Sequence, residues 1–317
     1  MTAPVTEPVA GRRRDLAPGW YVLDALVAVG RRVRLGRAKP VLPYGLLLPA
    51  VVLIGMLAGG LGYMLWLSFH ALDTATNTRG DLSLEQYDRL VNGVAAATYQ
   101  RVLIRTVVTS LIVMVSAVAL AVPTAFTLVR LQRRVLRRVA LILLLVPFLM
   151  GETVRTTGWV LLIGREGFIT WLSDKLGYQL ELLGSSFAVW IGMLQVMFPI
   201  ATLVMMPAVR RINPDLERAA QTMGARPWRV WVRIVLPLAR SGIVASALVV
   251  LTLSMTEFSM PRILGLGKRP FVANTVQQIY LERGNLHLGS AFSAVLLLTT
   301  MALVGLVSLL GRARRPR

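Results

Sequence analysis

Apolar residues along this chain fall into six blocks, each long enough to cross the roughly 30 Å of a bilayer's hydrocarbon as a helix. They cover residues 43–69, 106–129, 139–163, 187–209, 238–261 and 288–310. The pattern predicts an all-α integral membrane protein of six transmembrane helices. Glu152 and Arg155 interrupt the third block and make it the weakest of the six. Ahead of the first block lies a polar, basic stretch without a short apolar core and cleavage site, so no removable signal peptide is expected. Residues 1–10 are rich in Pro, Thr and Ala and are expected to be disordered. Residues 20–29 are apolar but too short to span, and Asp24 sits in their middle, which predicts a segment lying along the membrane surface. The chain thus divides into a cytoplasmic tail with an interfacial segment (1–40), a transmembrane domain (41–311) and a basic cytoplasmic tail (312–317).

Between the fourth and fifth blocks the periodicity changes. Residues 210–237 are polar and studded with arginines, and they read as a short capped helix followed by a second one. Asn213 can N-cap, and Pro214 can take the first helical position, where its missing N–H costs nothing. Asp215 and Glu217 place negative charge at the positive end of the helix dipole. Ala219, Ala220 and Met223 form a slim apolar stripe, and Gly224 is a left-handed stop. The predicted helix has roughly 10 residues and a length of ~15 Å. Pro227 can open the second helix, over residues 228–236, before Pro237 leads into the membrane. A segment this organised reads either as a docking device for a partner or as an amphipathic connector lying on the bilayer. In the outer loop of residues 70–100, a polar helical stretch is expected around 84–90.

Charge then orients the molecule. The net charge is +20. Of 35 Lys and Arg, 24 fall in the stretches 1–39, 130–138, 210–240 and 312–317, whereas the three alternate loops hold 9. That asymmetry follows the positive-inside pattern and predicts both termini in the cytoplasm. Residues 130–138 can also meet anionic lipid headgroups, while a nucleic-acid partner is not expected. A mean hydropathy of +0.64 and a 55% hydrophobic content exceed what a soluble domain needs.

Candidate chemistry is sparse. There are no cysteines, which excludes disulfide and metal-thiolate chemistry. His70 and His287 are the two histidines and cannot form a metal site alone. Gly265-Leu266-Gly267-Lys268 lacks the earlier glycine and the following Ser or Thr of a phosphate loop, and reads as a turn. The chain shows no visible means of hydrolysing ATP by itself, so any energy is expected to arrive through a partner. Three ionisable residues reach membrane depth. Glu152 and Arg155 lie three apart on one helix face, either as an ion pair packed against other helices or facing a translocation path. Glu257 falls ~28 Å along the fifth helix, near its outer end, as an interfacial carboxylate or as an acid lining the mouth of the path.

Residues 217–237 resemble the EAA loop of ABC-importer permeases: Glu-Ala-Ala, three residues, Gly, then about nine residues to Ile-x-Leu-Pro. Ala219, Ala220, Gly224, Ala225, Ile234, Leu236 and Pro237 match in register. The usual glutamate falls on Arg218, and the acid stands one place earlier at Glu217. The resemblance covers nearly the whole chain. Pro147-Phe148 with Val154-Arg155-Thr156-Thr157-Gly158-Trp159 is similar to the third-helix signature of the polyamine-type branch. The runs 257–265 and 285–291 resemble that branch's fifth and sixth helices. The resemblance implies a permease of the binding-protein-dependent type in the bacterial inner membrane, itself not an enzyme. The implied partners are a second permease subunit, two cytosolic ATPases that bind ATP-Mg, and an extracytoplasmic solute-binding protein. No cofactor or metal is then expected on this chain. Glu217, Ala219, Ala220, Gly224 and Ala225 would form the coupling helix to an ATPase. Glu152, Arg155, Trp159 and Glu257 would line the path of a polyamine-like or other small organic solute. A secondary transporter or channel, which would carry repeated broken helices or charged rings, and a membrane-embedded enzyme, which would need convergent polar residues at one depth, are the alternatives.

Overall fold

The computed structural model describes residues 42–73, 78–177 and 181–313. The interfacial segment at 20–29, the rest of the 1–40 tail and residues 314–317 lie outside the described residues. The chain forms two compact units, Met1–Leu61 and Gly62–Arg317. Helix α1, Leu42–Ser68, begins in the first, where it exposes Leu48, Val51, Leu53, Ile54 and Leu57.

The second unit is helical apart from one hairpin. After α1, strands β1 (His70–Asp73) and β2 (Thr78–Leu82) pair antiparallel in the loop that follows, where the sequence announced no strand. Then follow α2 (Glu85–Val91), α3 (Ala96–Arg130), α4 (Arg134–Leu149), α5 (Glu152–Ile163), α6 (Phe168–Lys175), α7 (Ser186–Arg210) and α8 (Pro214–Thr222). Helix α9 runs over Pro227–Met255, followed by α10 (Ser259–Ile263), α11 (Val272–Gln277) and α12 (Leu286–Ala313).

Five of these helices, within α1, α3, α7, α9 and α12, are long and apolar enough to cross a membrane. The third block departs from expectation. Residues 139–163 do not form one helix: α4 ends at Leu149, Met150 turns extended, and α5 restarts at Glu152. Pro147 supplies no N–H to the preceding turn, and Gly151 offers a permissive restart.

The core is built where α3, α7 and α9 pack on one another. Small side chains permit close approach of the backbones: Ala117, Ala121 and Ala125 recur every four residues on α3, all fully buried. They meet Ala201 and Met205 of α7 in the same apolar cluster. Gly242 of α9 lies so close to α7 that an added Cβ would stand 2.5 Å from the Ala208 methyl. A second cluster at the other end joins Leu90, Tyr99, Val102, Val272, Ile279, Leu288 and Phe292.

Residues 228–236 are not a separate helix. Pro227 opens α9, which runs on through a π-helical turn at Trp231–Val235 into the apolar stretch. The extra residue in that turn precedes Pro237, whose ring would clash with a carbonyl four residues back in a regular α-helix. The apolar helix then stops at Met255, short of the 261 expected, and leaves Glu257 in the connection to α10.

Candidate functional site

Two constellations carry candidate function. The first is α8, bounded at both ends. Asn213 is its N-cap, and its Oδ1 accepts a hydrogen bond from the Asp215 N–H at 3.0 Å. Pro214 follows at the first position, as expected. At the other end Gly224 takes φ +83°, and two bonds close a Schellman motif: Ala225 N–H to Ala220 O at 3.0 Å and Gly224 N–H to Gln221 O at 2.9 Å. No atom lies within 4 Å of where a Gly224 Cβ would be, so the backbone conformation alone selects glycine.

The apolar stripe divides. Ala220 is buried, while Ala219, Met223 and Leu216 face outward. Glu217 turns inward instead and forms an ion pair with Arg130 of α3. Arg130 Nη2 stands 2.6 Å from Glu217 Oε1, and Nε donates to the same oxygen at 3.1 Å. Arg130 also donates to the Ile212 carbonyl at 2.9 Å and lies over the Phe126 ring, which meets Trp231 edge-on. These side chains are 21% and 16% exposed, so the bridge is largely desolvated and fixes α8 against the end of α3. Sequence reasoning missed Arg130, because nothing in a run of five arginines marks the one that turns inward.

The second constellation gathers the membrane-depth charges. Glu152 and Arg155 do not pair with each other: among the described residues the three ion pairs are Glu85–Arg89, Arg130–Glu217 and Asp215–Arg218. The helix break explains both charges instead. Glu152 is the first residue of α5, at its positive end. Arg155 donates to the Pro147 carbonyl at 3.3 Å, one of the carbonyls left open at the end of α4. Its Nε is buried without a partner. Short helix α10 packs on α5 and thereby brings Glu257 into electrostatic reach of both Glu152 and Arg155, 105 and 102 positions apart in sequence. Glu257 Oε1 accepts weakly from the Met260 N–H at 3.4 Å. Trp159, one turn beyond Arg155, donates its indole N–H to Gln195 Oε1 of α7. Gln195 is not marked by any motif, although its signal is legible as a polar side chain in the middle of the apolar block 187–209.

Surrounding contacts hold the connecting loops in place. Asn274 donates to the Phe258 carbonyl at 2.7 Å, and Thr106 Oγ1 accepts from the Val272 N–H at 3.0 Å. Asn285 caps α12 through Leu288 N–H at 2.9 Å, and Gly289 leaves room for the Tyr280 ring, 3.0 Å from where a Cβ would stand. Gly265–Lys268 is a turn, as expected, with Leu266 and Gly267 both at positive φ. His70 and His287 lie side by side, with His287 Nδ1 3.1 Å from the His70 carbonyl. No cluster of three or more metal-ligating side chains occurs among the described residues.

The chain is 27% identical over 233 residues to the spermidine/putrescine transport system permease protein PotB of Salmonella typhimurium, covering 72% of this chain and 79% of that one. It is 31% identical over 185 residues to the molybdenum transport system permease protein ModB of Mycobacterium bovis, covering 58% and 69%. The fold superimposes on a crystal structure of a bacterial ABC transporter involved in import of the acidic polysaccharide alginate. The TM-score is 0.73 at 14% identity, covering 87% of this chain and 96% of that one. Residues 89–317 match the family described as binding-protein-dependent transport system inner membrane component. The chain belongs to that family, as an inner-membrane permease subunit of an ABC importer.

Proposed function

We propose that this permease crosses the membrane six times, residues 134–163 supplying the remaining span as two helices, with both termini and α8 on the cytoplasmic side. The 41–311 region is the permease domain, and the tails at 1–40 and 312–317 are cytoplasmic. In this reading α8 is the coupling helix, with Ala219, Ala220, Gly224 and Ala225 shaping its docking end and Glu217 holding it to α3. It seats in a groove on one of two cytosolic ATPases, which bind ATP-Mg while this chain binds no cofactor and catalyses nothing. A second permease subunit completes the path, and an extracytoplasmic binding protein delivers the solute. Glu152, Arg155, Trp159 and Glu257 face that path, and the solute is a small organic cation of polyamine type. Likeness to PotB and the electrostatic reach between Glu257 and Glu152 support the cation.

The single observation that carries the reading is α8 itself, capped at both ends and anchored through Arg130–Glu217 at the arginine-rich end of α3. Its test is sidedness. The chain has no native cysteine, so single replacements at Arg137, Gln221 and Arg315 can be probed in intact cells with an impermeant thiol reagent. All three should stay unlabelled, whereas a cysteine at exposed Val94 should react. Labelling of Gln221→Cys from outside would put α8 beyond the reach of any cytosolic ATPase.

A further inference from the structure

The outward face of α8 has a composition that specifies its partner. Leu216, Ala219 and Met223 recur at helical spacing on the solvent side, Met223 81% exposed. A small residue stands between two larger ones, so the backbone there can be approached closely. Cations frame this ridge. Arg218 is 72% exposed, and its one acidic neighbour, Asp215 at 3.2 Å, is equally exposed. Arg226 and Arg229 follow the cap, both exposed, and among the described residues neither has an acid within ion-pair distance. Glu217 offers nothing outward, since its charge is spent on Arg130.

Resting on the reading of α8 as the coupling helix, we propose that its partner is an ATPase groove with an apolar floor and an acidic rim, one carboxylate of which meets Arg218. Charge complementarity carries the argument. Three outward cations against one half-committed carboxylate would repel a basic groove and steer an acidic one. Anionic headgroups would also attract the arginines. A helix held at the bilayer surface, however, presents a broad face of large apolar residues. The exposed ridge here is three residues long with alanine at its centre.

The test uses the whole transporter, purified from native membranes through a tag on this chain. The readout is the amount of ATPase subunit that stays bound as salt is raised from about 50 to about 500 mM, a range over which exposed charge pairs are screened. The parent should lose ATPase with rising salt. At about 150 mM, Arg218→Glu should retain at least tenfold less, while Arg218→Lys should stay within about threefold of the parent. Unchanged elution of the permease pair on size exclusion separates weakened docking from misfolding. Retention by Arg218→Glu equal to the parent would overturn the acidic groove. So would retention that, once the purified complex is reconstituted into vesicles, follows only their anionic lipid content. The coupling reading is judged separately, by Gly224→Val. If that variant uncouples transport while Arg218→Glu behaves like the parent, only the charge assignment falls.

Discussion

A shift of one position along a helix turns a side chain by about 100°, and that turn gives Glu217 and Arg218 different surroundings. Glu217 meets Arg130 in a largely desolvated pair, whereas Arg218 stands in solvent. Whether a carboxylate acts as anchor or as surface charge is decided here by register. The same logic governs Glu257, which the end of α9 at Met255 and the fold of α10 bring within electrostatic reach of Glu152 and Arg155. Glu257 accepts from the Met260 N–H at the start of α10, and Glu257→Gln keeps that acceptor but removes the charge. At limiting solute, uptake of a dicationic substrate should fall about tenfold, ~1.4 kcal/mol, and uptake of a neutral one much less. Equal rates for parent and variant with the dication would leave Glu257 a structural residue and remove the electrostatic support for a cationic solute.

At the scale of elements, the sequence made most of the helices legible. The apolar blocks of α3, α7, α9 and α12 and the caps of α8 rest on local chemistry, since Asn213, Pro214 and Gly224 each have one strong backbone preference. What stayed hidden depends on tertiary neighbours. The break between α4 and α5 was foreshadowed by Glu152 and Arg155, yet their meaning as helix-end charges appears only once Arg155 is seen at the Pro147 carbonyl. The hairpin β1–β2 was invisible, because short polar strands in a loop carry no periodic signal. The convergence of Glu257 with Glu152 was unreadable across 105 positions. Helix packing makes its own prediction. Gly242→Ala would press a methyl against Ala208, between α9 and α7, and should destabilise the solubilised permease by about 1–3 kcal/mol. Gly305→Ala on α12, with no atom within 4 Å, should leave thermal stability unchanged. Equal melting of the two variants would mean that the α7–α9 approach is looser than described.

For the whole molecule, the proposed coupling rests on how α8 is tied to the helix core. The core of α3, α7 and α9 packs closely through small residues. Helix α8 is tied to that core twice, through Arg130–Glu217 to α3 and through its short connection to α9. Force applied to α8 by an ATPase would thus reach the helices beside Trp159 and Glu257 without an intervening flexible loop. The most direct measurement of this claim is ATP-driven uptake by the reconstituted transporter, with Gly224 altered. Valine at φ +83° is strained by about 1 kcal/mol or more, while asparagine tolerates that conformation. The account predicts that Gly224→Val inserts, assembles and lets the ATPase hydrolyse ATP but drives no uptake, and that Gly224→Asn transports nearly as well as the parent. Normal ATP-dependent uptake by a well-assembled Gly224→Val complex would contradict it.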